Sequence, residues 1–173
     1  GLSAIALART AGAATITAFD VVDARCEVAL SCGADSAHNP KTLSANGTSP
    51  ADLVLETTKG AGADLQLECA GAALTTLPEI ERCFAPGGTM IYLGRTGERA
   101  PVMLDILVSG AASIVGSRGH AGQGCFPRII RLLEEDRLPI APMITARRPF
   151  SDALEAVEQS CSRVDGKILL VYR

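Results

Sequence analysis

The chain has 173 residues, of which 47% are hydrophobic and 20% charged, and its formal net charge is −3. This length suits one domain, and the composition is that of a folded globular protein rather than a disordered one. The acidic balance argues against nucleic-acid binding, which requires an excess of basic surface. The apolar runs, such as residues 105–116, are shorter than the roughly 20 residues of a membrane span. No basic segment leads an apolar run as in a signal peptide, so we expect a cytoplasmic protein.

The cysteines and histidines are too dispersed to suggest a disulfide framework or a metal site. The spacing contains no C-x-x-C pair, and neither histidine has a second ligand three or four residues later. We therefore expect ordinary buried or half-buried thiols and no metal bound by this chain. The residues concerned are Cys26, Cys32, Cys69, Cys83, Cys125, Cys161, His38 and His120.

The first 60 residues alternate between helical and strand patterns. The spacing of apolar residues predicts a helix over 2–11, a buried strand over 14–19, a helix over 22–32 and a helix over 49–60. Asp23 is the predicted cap of the helix over 22–32. The helix over 49–60 is predicted to begin with Ser49 as its cap and Pro50 in its first turn.

The same alternation continues to residue 117. Apolar runs predict strands over 63–71, 87–94 and 112–117, separated by helices over 73–85 and 101–110. The strands are continuously apolar rather than alternating, which favours a parallel sheet covered by helices on both faces. The predicted fold class is therefore α/β.

The alternation of strands and helices stops after Ser117, where a glycine-rich loop occupies residues 118–124. A helix over 126–136, an extended run over 142–150, a helix over 151–162 with Ser151 as its cap, and a strand over 166–172 follow. The loop order G-x-x-G-x-G reverses the dinucleotide fingerprint, so we interpret it as a substrate-side loop rather than a phosphate loop. His120 within it is more readily explained as a surface histidine than as a substrate contact.

The opening stretch has the spacing of half a dinucleotide-binding unit. Gly1 precedes an apolar helix, and Asp20 follows the next strand 19 residues later. In such units a glycine-rich turn leads into a helix that faces the pyrophosphate, and an acidic residue about 20 positions on binds the ribose hydroxyls. If Gly1 is the last glycine of that turn, the first strand of the sheet lies outside this sequence.

Several strings in order along the whole chain carry a family resemblance. Residues 1–35, "ADLQLECAG", "APGGTMIYLG", "ASIVGSRG" and "DGKILLVY" resemble the nucleotide-binding region of zinc-type medium-chain dehydrogenases of the alcohol, sorbitol and threonine dehydrogenase group. The resemblance implies a Rossmann-type doubly wound parallel sheet, with its first strand missing, in an NAD-binding domain over 1–117. Residues 118–173 would return to the catalytic domain.

The same resemblance implies an NAD-linked enzyme that transfers a hydride between the cofactor and a secondary alcohol or polyol. The catalytic zinc would be held by an upstream domain, because its Cys, His and Glu ligands have no counterpart here. This chain alone would therefore be inactive. The resemblance also implies a dimer, or a tetramer of dimers, joined through the sheet edge near 101–117.

By the resemblance, the predicted cofactor residues lie at strand ends. Asp20 would bind the ribose 2′- and 3′-hydroxyls and repel a 2′-phosphate, which favours NAD over NADP. Arg25 would lie along the adenine ribose or else be a solvated helix residue, and Gly71 and Gly94 would admit the cofactor or make tight turns. The remaining predicted contacts are Gly1, Leu2 and Lys167 near the pyrophosphate, Cys69 and Ala70 on the adenosine side, and Leu93, Arg95, Val115 and Ser117 near the nicotinamide.

Three other functions stay open from the sequence. A zinc-free quinone or enoyl reductase would use NADPH, which Asp20 disfavours. An adenosylmethionine-dependent methyltransferase also places an acidic residue on a ribose, but the long segment after residue 118 fits it poorly. A non-catalytic assembly module could use the same sheet edge. A serine hydrolase is disfavoured because the G-x-S-x-G elbow is lacking.

Overall fold

The computed structural model of the chain describes residues 1–119 and 124–172. The helices are α1 (Leu2–Thr10), α2 (Asp23–Ser31), α3 (Pro40–Ala45), α4 (Pro50–Thr57), α5 (Ala73–Arg82), α6 (Leu104–Gly110), α7 (Cys125–Glu134) and α8 (Ala153–Cys161). The strands are β1 (Thr17–Phe19), β2 (Ser36–His38), β3 (Ala63–Glu68), β4 (Phe84–Tyr92), β5 (Ser113–Gly116), β6 (Ile144–Pro149) and β7 (Lys167–Val171). Two 3-10 turns span Ala141–Met143 and Phe150–Asp152.

The chain divides by its internal contacts into two units. The central unit is Leu43–Ala121 together with Gly1, and the terminal unit is Leu2–Thr42 together with Gly122–Arg173. This division differs from the predicted domains 1–117 and 118–173, which stay a prediction. Residues 120–123, which include His120 and most of the predicted glycine-rich loop, lie outside the described residues.

The central unit is built on a parallel sheet of order β3-β4-β5. Helix α5 connects β3 to β4, and α6 connects β4 to β5, so the unit consists of two successive βαβ crossovers. Its core is a buried cluster of Ala73, Leu77 and Met90, on which Ile80 and Ile114 pack. This parallel α/β arrangement is the predicted one.

The terminal unit contains two parallel strand pairs, β1 with β2 and β6 with β7. Its core cluster joins Ala6 of α1, Cys32 after α2, and Leu138 and Met143 from the segment between α7 and β6. Small side chains fill the first two positions, which allows the helices to pack closely.

The guanidinium of Arg9 connects three segments of the terminal unit. Its nitrogens donate to the carbonyl of Gly33 at 3.1 and 2.9 Å and to that of Ala13 at 3.0 Å. It also pairs with Asp35 Oδ1 at 2.7 Å, while Asp35 Oδ2 accepts the amide of Ile16 at 2.7 Å. The hydrogen bond from Arg9 is the main reason that the pKa of Asp35 is lowered. The end of α1, the entry to β1 and the turn after α2 thus share one polar network.

Of the predicted caps, the structure confirms one. Ser49 accepts the amide of Asp52 in a reciprocal capping box. Asp23 is not a cap, because it is the first helical residue and the cap position is Val22, without a side-chain bond. Ser151 is not a cap either, since α8 begins two residues later and Ser151 instead bonds the carboxylate of Asp152.

The predicted strands differ from the observed ones mainly at their ends. The sequence analysis missed β2, because a three-residue strand offers no measurable alternation. It also missed the six-residue helix α3. Strand β4 begins at Phe84, before Gly87 and Gly88, rather than at Gly87 as predicted. A Cβ at Gly88 would lie 2.8 and 2.9 Å from the carbonyl oxygens of Ala85 and Ala63, so glycine is needed inside the strand rather than at its entry.

Candidate functional site

The three strands of the central unit end at one edge, where most of the predicted cofactor residues follow them. The register aligns Glu68 with Tyr92 and Tyr92 with Gly116. The amides of Leu93 and Gly94 donate to the carbonyl of Glu68 at 2.8 and 2.9 Å, and the amide of Ser117 donates to that of Tyr92 at 3.0 Å. Ligands of open parallel sheets bind outside this carboxyl edge.

Gly71 and Gly94 touch each other across this edge. Gly71 has a φ of +69°, and a Cβ there would lie 2.6 Å from the carbonyl oxygen of Arg95. A Cβ at Gly94 would contact the amide nitrogen of Gly71 and Oε2 of Glu68. Of the two interpretations left open by the sequence, this geometry supports tight, mutually packed turns, because protein atoms already occupy the space of either methyl group.

Glu68 is the buried charged side chain of this edge, and the sequence analysis missed it. It is only 3% exposed. Its Oε1 accepts the amides of Ala70, Gly71 and Ala72 at 3.2, 3.0 and 3.3 Å and the hydroxyl of Thr76 at 3.3 Å. The available signal was a glutamate that ends a strand and precedes a run of small residues.

The outer surface of the edge is open and mixed in character. Leu93 is 42% exposed and Val115 is 48% exposed, and Ala70, Arg95 and Ser117 are also exposed. Cys69 is half-buried. The edge therefore offers both apolar side chains and a cation to a ligand.

In the terminal unit, Asp20 follows β1 at the carboxyl edge of the β1-β2 pair. Its amide donates to the carbonyl of His38 at 3.2 Å, and its Oδ1 accepts the amide of Val22 at 3.0 Å. The side chain is half-buried, and within the described residues its Oδ2 accepts no hydrogen bond. Asn39, which follows β2, connects the two strand ends at the same edge, because its side-chain amide donates to the carbonyl of Val21 at 3.3 Å.

Arg25 and Lys167, both predicted cofactor residues, line one cavity of about 320 Å³ in the terminal unit. Arg25 Nη2 donates to the carbonyl of Asp165 at 3.1 Å. Its Nε is buried and has no partner among the described residues. Arg25 is therefore half-buried rather than solvated, and it keeps an unsatisfied donor.

Asp165 stands at the rim of the same cavity. Thr145 donates to its Oδ1 at 2.6 Å and Gln159 to its Oδ2 at 2.8 Å. These two hydrogen bonds, that from Thr145 first, lower the pKa of Asp165. The lining of the cavity therefore contains the negative charge of Asp165 beside the positive charges of Arg25 and Lys167.

Gly1 and Leu2, both predicted to lie near the pyrophosphate, differ in their burial. Gly1 is exposed, and a Cβ there would meet nothing within 4 Å, so this chain gives no reason for glycine at that position. Leu2 packs against the core cluster of the terminal unit.

The thiols and acidic groups form no metal centre in the part of the chain that the structure describes. All six cysteines are free; Cys125 and Cys161 are exposed, contrary to the prediction of buried or half-buried thiols. Burial raises the pKa of Cys83 to about 11. Among residues 1–119 and 124–172, no helix has the length and apolarity needed to cross a bilayer.

Comparison with known proteins identifies the family. The fold belongs to the general class of parallel α/β proteins, and its central strands end at a tight edge lined by glycines. The family model for zinc-binding dehydrogenases matches residues 1–135. D-xylulose reductase of Morganella morganii is 33% identical over 153 residues, which cover 88% of this chain and 43% of that protein. The chain belongs to the zinc-type medium-chain dehydrogenase family, which confirms the resemblance.

Solved structures support the same assignment. Benzyl alcohol dehydrogenase from Acinetobacter calcoaceticus superposes with a TM-score of 0.85 at 25% identity, covering 99% of this chain and 47% of that one. Alcohol dehydrogenase TADH from Thermus sp. ATN1 gives 0.85 at 27% identity, covering 99% and 48%. The fold is therefore that of medium-chain alcohol dehydrogenase domains, and the chain spans less than half the length of these relatives.

Proposed function

We propose that this chain is the NAD(H)-binding portion of a zinc-dependent dehydrogenase that transfers a hydride between NAD and a secondary alcohol or polyol, or the corresponding ketone. The observation that carries the proposal is Asp20, a half-buried carboxylate at the carboxyl end of β1 with one uncommitted oxygen. Relatives named D-xylulose reductase and scyllo-inosose 3-dehydrogenase support a polyhydroxylated substrate.

Asp20 would select the cofactor by charge and hydrogen bonding. Its Oδ2 would accept hydrogen bonds from the ribose hydroxyls of NAD, while Oδ1 remains on the amide of Val22. The 2′-phosphate of NADP would bring a second negative charge to the same place. At about 4 Å and an effective dielectric constant of about 20, two like charges repel by about 4 kcal/mol. Val21 and Val22 provide no cation to offset this repulsion.

The cavity that Arg25 and Lys167 line would receive the negative part of the cofactor. Arg25 and Lys167 both line it, and the Nε of Arg25 is a buried donor without a partner among the described residues. An unsatisfied buried donor costs about 1–3 kcal/mol, which a bound acceptor would recover. Arg25 and Lys167 bring two positive charges to the lining against the one negative charge of Asp165, which supports an anionic ligand such as the diphosphate of NAD.

The zinc ion is proposed to be held by residues outside this chain, and when bound it would polarise the alcohol oxygen. The contribution of this chain is to bind and orient the cofactor. The predicted contacts Cys69, Ala70, Leu93, Arg95, Val115 and Ser117 would line the uncharged part of NAD along the edge of the central unit. A cytoplasmic location is part of the proposal.

The sheet edge at β5 would join two copies of the protein. Strand β5 is an edge strand of the central sheet, and α6, which precedes it in the chain, exposes Leu104 at 69% and Val108 at 79%. Burying such apolar surface favours association. A full-length protein that is a monomer by light scattering at micromolar concentration would refute this part of the proposal.

The cofactor assignment is tested by calorimetric titration of the full-length protein with NAD and NADPH. Asp20→Asn should weaken NAD binding about tenfold, because hydrogen bonds to a charged acceptor are worth about 1.5–3 kcal/mol. The substitution should also reduce the preference of the protein for NAD over NADPH. Asp64→Asn, which neutralises an exposed carboxylate on β3, is the control and should bind NAD normally. If the wild-type protein does not bind NAD, the proposal is refuted. A preference for NADPH over NAD would favour a zinc-free reductase, and binding of adenosylmethionine in place of NAD would favour a methyltransferase.

A further inference from the structure

We propose that Glu68 is a positioning residue of the cofactor site: its buried carboxylate turns the amides of residues 70–72 inward, so that this turn offers carbonyl oxygens to the ligand. The inference rests on the proposed function and specifies which part of the dinucleotide this turn can bind. It concerns only the edge of the central unit, where Glu68 ends β3.

The surroundings of Glu68 are those of an ionised carboxylate. Four donors converge on Oε1, namely three successive backbone amides and the hydroxyl of Thr76, and the amide of Gly71 also reaches Oε2 at 3.2 Å. An ionised carboxylate only accepts hydrogen bonds, which matches this set of donors. The group is 3% exposed, so losing these bonds would leave a buried charge unpaired.

The hydrogen bonds to Glu68 decide what the turn can bind. A free helix start normally presents amides to an anion, but here the amides that precede α5 are already used by a carboxylate. In contrast, the carbonyl oxygens of Cys69, Ala70 and Gly71 accept no hydrogen bond from the described residues. A turn that offers acceptors above a buried negative charge suits hydroxyl or amino donors and repels phosphate. The ribose or amide groups of NAD therefore belong at this turn, and the diphosphate belongs elsewhere.

Glu68 also sets the spacing between the turn and the neighbouring strand end. Its Oε2 and the amide nitrogen of Gly71 both lie in close contact with the position that a Cβ on Gly94 would take. The carboxylate, Gly71 and Gly94 therefore pack as one unit. A change in the charge or shape at position 68 should move the turn relative to the loop that begins at Leu93.

The test compares Glu68→Gln with Glu79→Gln in the full-length protein. In Glu68→Gln an NH₂ group replaces one carboxylate oxygen, so that a donor faces the amide of Gly71. Glu79 is the matched control, because it also accepts a backbone amide, that of Ala51 at 3.0 Å, in the same unit but away from the edge. We expect Glu68→Gln to raise the KM for NAD at least about fivefold, since charge-assisted hydrogen bonds are about twice as strong as neutral ones. The KM for the alcohol should change little, and Glu79→Gln should alter neither constant.

A milder pair of variants covers the case in which Glu68→Gln fails to fold. Thr76→Val removes a hydroxyl that lies within hydrogen-bond distance of both Glu68 and the carbonyl of Ala72, whereas Thr75→Val removes a hydroxyl that bonds only that carbonyl. We expect Thr76→Val to raise the KM for NAD about two- to threefold, which corresponds to only part of the net contribution of one hydrogen bond. Thr75→Val should leave the KM for NAD unchanged.

Amide hydrogen exchange of the cofactor-free protein provides a readout that needs no NAD. Glu68→Gln should speed exchange at Ala70, Gly71 and Ala72, and Glu79→Gln should not. Unchanged exchange, or faster exchange with an unaltered KM for NAD, would overturn the proposal. A wild-type protein that shows the slow exchange but binds no dinucleotide would instead refute the proposed function, and with it the positioning role of Glu68.

Discussion

Substituting Gly94 by alanine tests whether the two strand ends of the central unit must touch. The added Cβ would contact the amide nitrogen of Gly71 and Oε2 of Glu68, and it would lie 2.6 Å from the Cα of Gly71. Carbon atoms pack at about 3.5–4.0 Å, so the turn would have to retreat by about 1 Å. That movement would pull the amides of the turn away from Glu68.

The expected cost of Gly94→Ala combines two opposing effects. Overpacking typically destabilises by about 1–3 kcal/mol, and alanine stabilises by about 0.4–1 kcal/mol through the unfolded chain. The net loss should be about 1–2 kcal/mol, and it should be larger if hydrogen bonds to Glu68 break. Gly97→Ala is the control in the same loop, because a Cβ there meets nothing within 4 Å.

The assay is urea denaturation of the full-length protein, followed by circular dichroism, together with NAD titration. Gly94→Ala should lower both the free energy of unfolding and the affinity for NAD, whereas Gly97→Ala should leave the free energy of unfolding unchanged or raise it by up to about 1 kcal/mol. Equal stabilities of the two variants would show that the strand ends can separate freely. Close approach of Gly71 would then not be the reason that position 94 requires glycine.

Three further outcomes follow from single residues. Tyr92→Phe should stabilise the protein or leave it unchanged, because its hydroxyl is buried without a partner in the described chain; a loss above about 1 kcal/mol would reveal a partner. Cys83 should resist alkylation at pH 8 while exposed Cys125 reacts, since burial raises the pKa of Cys83 to about 11, and equal labelling of both would contradict this. Asp165→Asn should lower stability at pH 7, but the difference should fade below about pH 4, because the lowered native pKa stabilises only where the unfolded carboxyl is ionised; a pH-independent difference would refute the linkage.

The helices and long strands were predictable because their signals are local. Ser49 and Asp52 carry a capping box within four residues, and the apolar run of β4 is long enough to identify alone. The position of Asp20 after a strand was also predictable, since it depends only on the run that precedes it. Family resemblance added the fold class, which the comparisons confirm.

The parts that sequence could not predict depend on contacts between distant residues. The need for glycine at Gly94 arises from Gly71, 23 positions earlier, and from the carboxylate of Glu68. Glu68 itself resembled an ordinary strand-end glutamate until its four donors were known. Arg25 was left undecided between a ligand contact and a solvated side chain, because its partner, the carbonyl of Asp165, lies 140 residues away.

The polar network around Arg9 has a consequence for local opening of the terminal unit. Because one guanidinium holds the carbonyls of Ala13 and Gly33 and the carboxylate of Asp35, none of these segments can detach without breaking bonds in the others. The connection before β1 and the turn after α2 should therefore open as a single cooperative unit. Asp20 follows the other end of β1, so opening before the strand should also disturb this proposed ribose-binding residue.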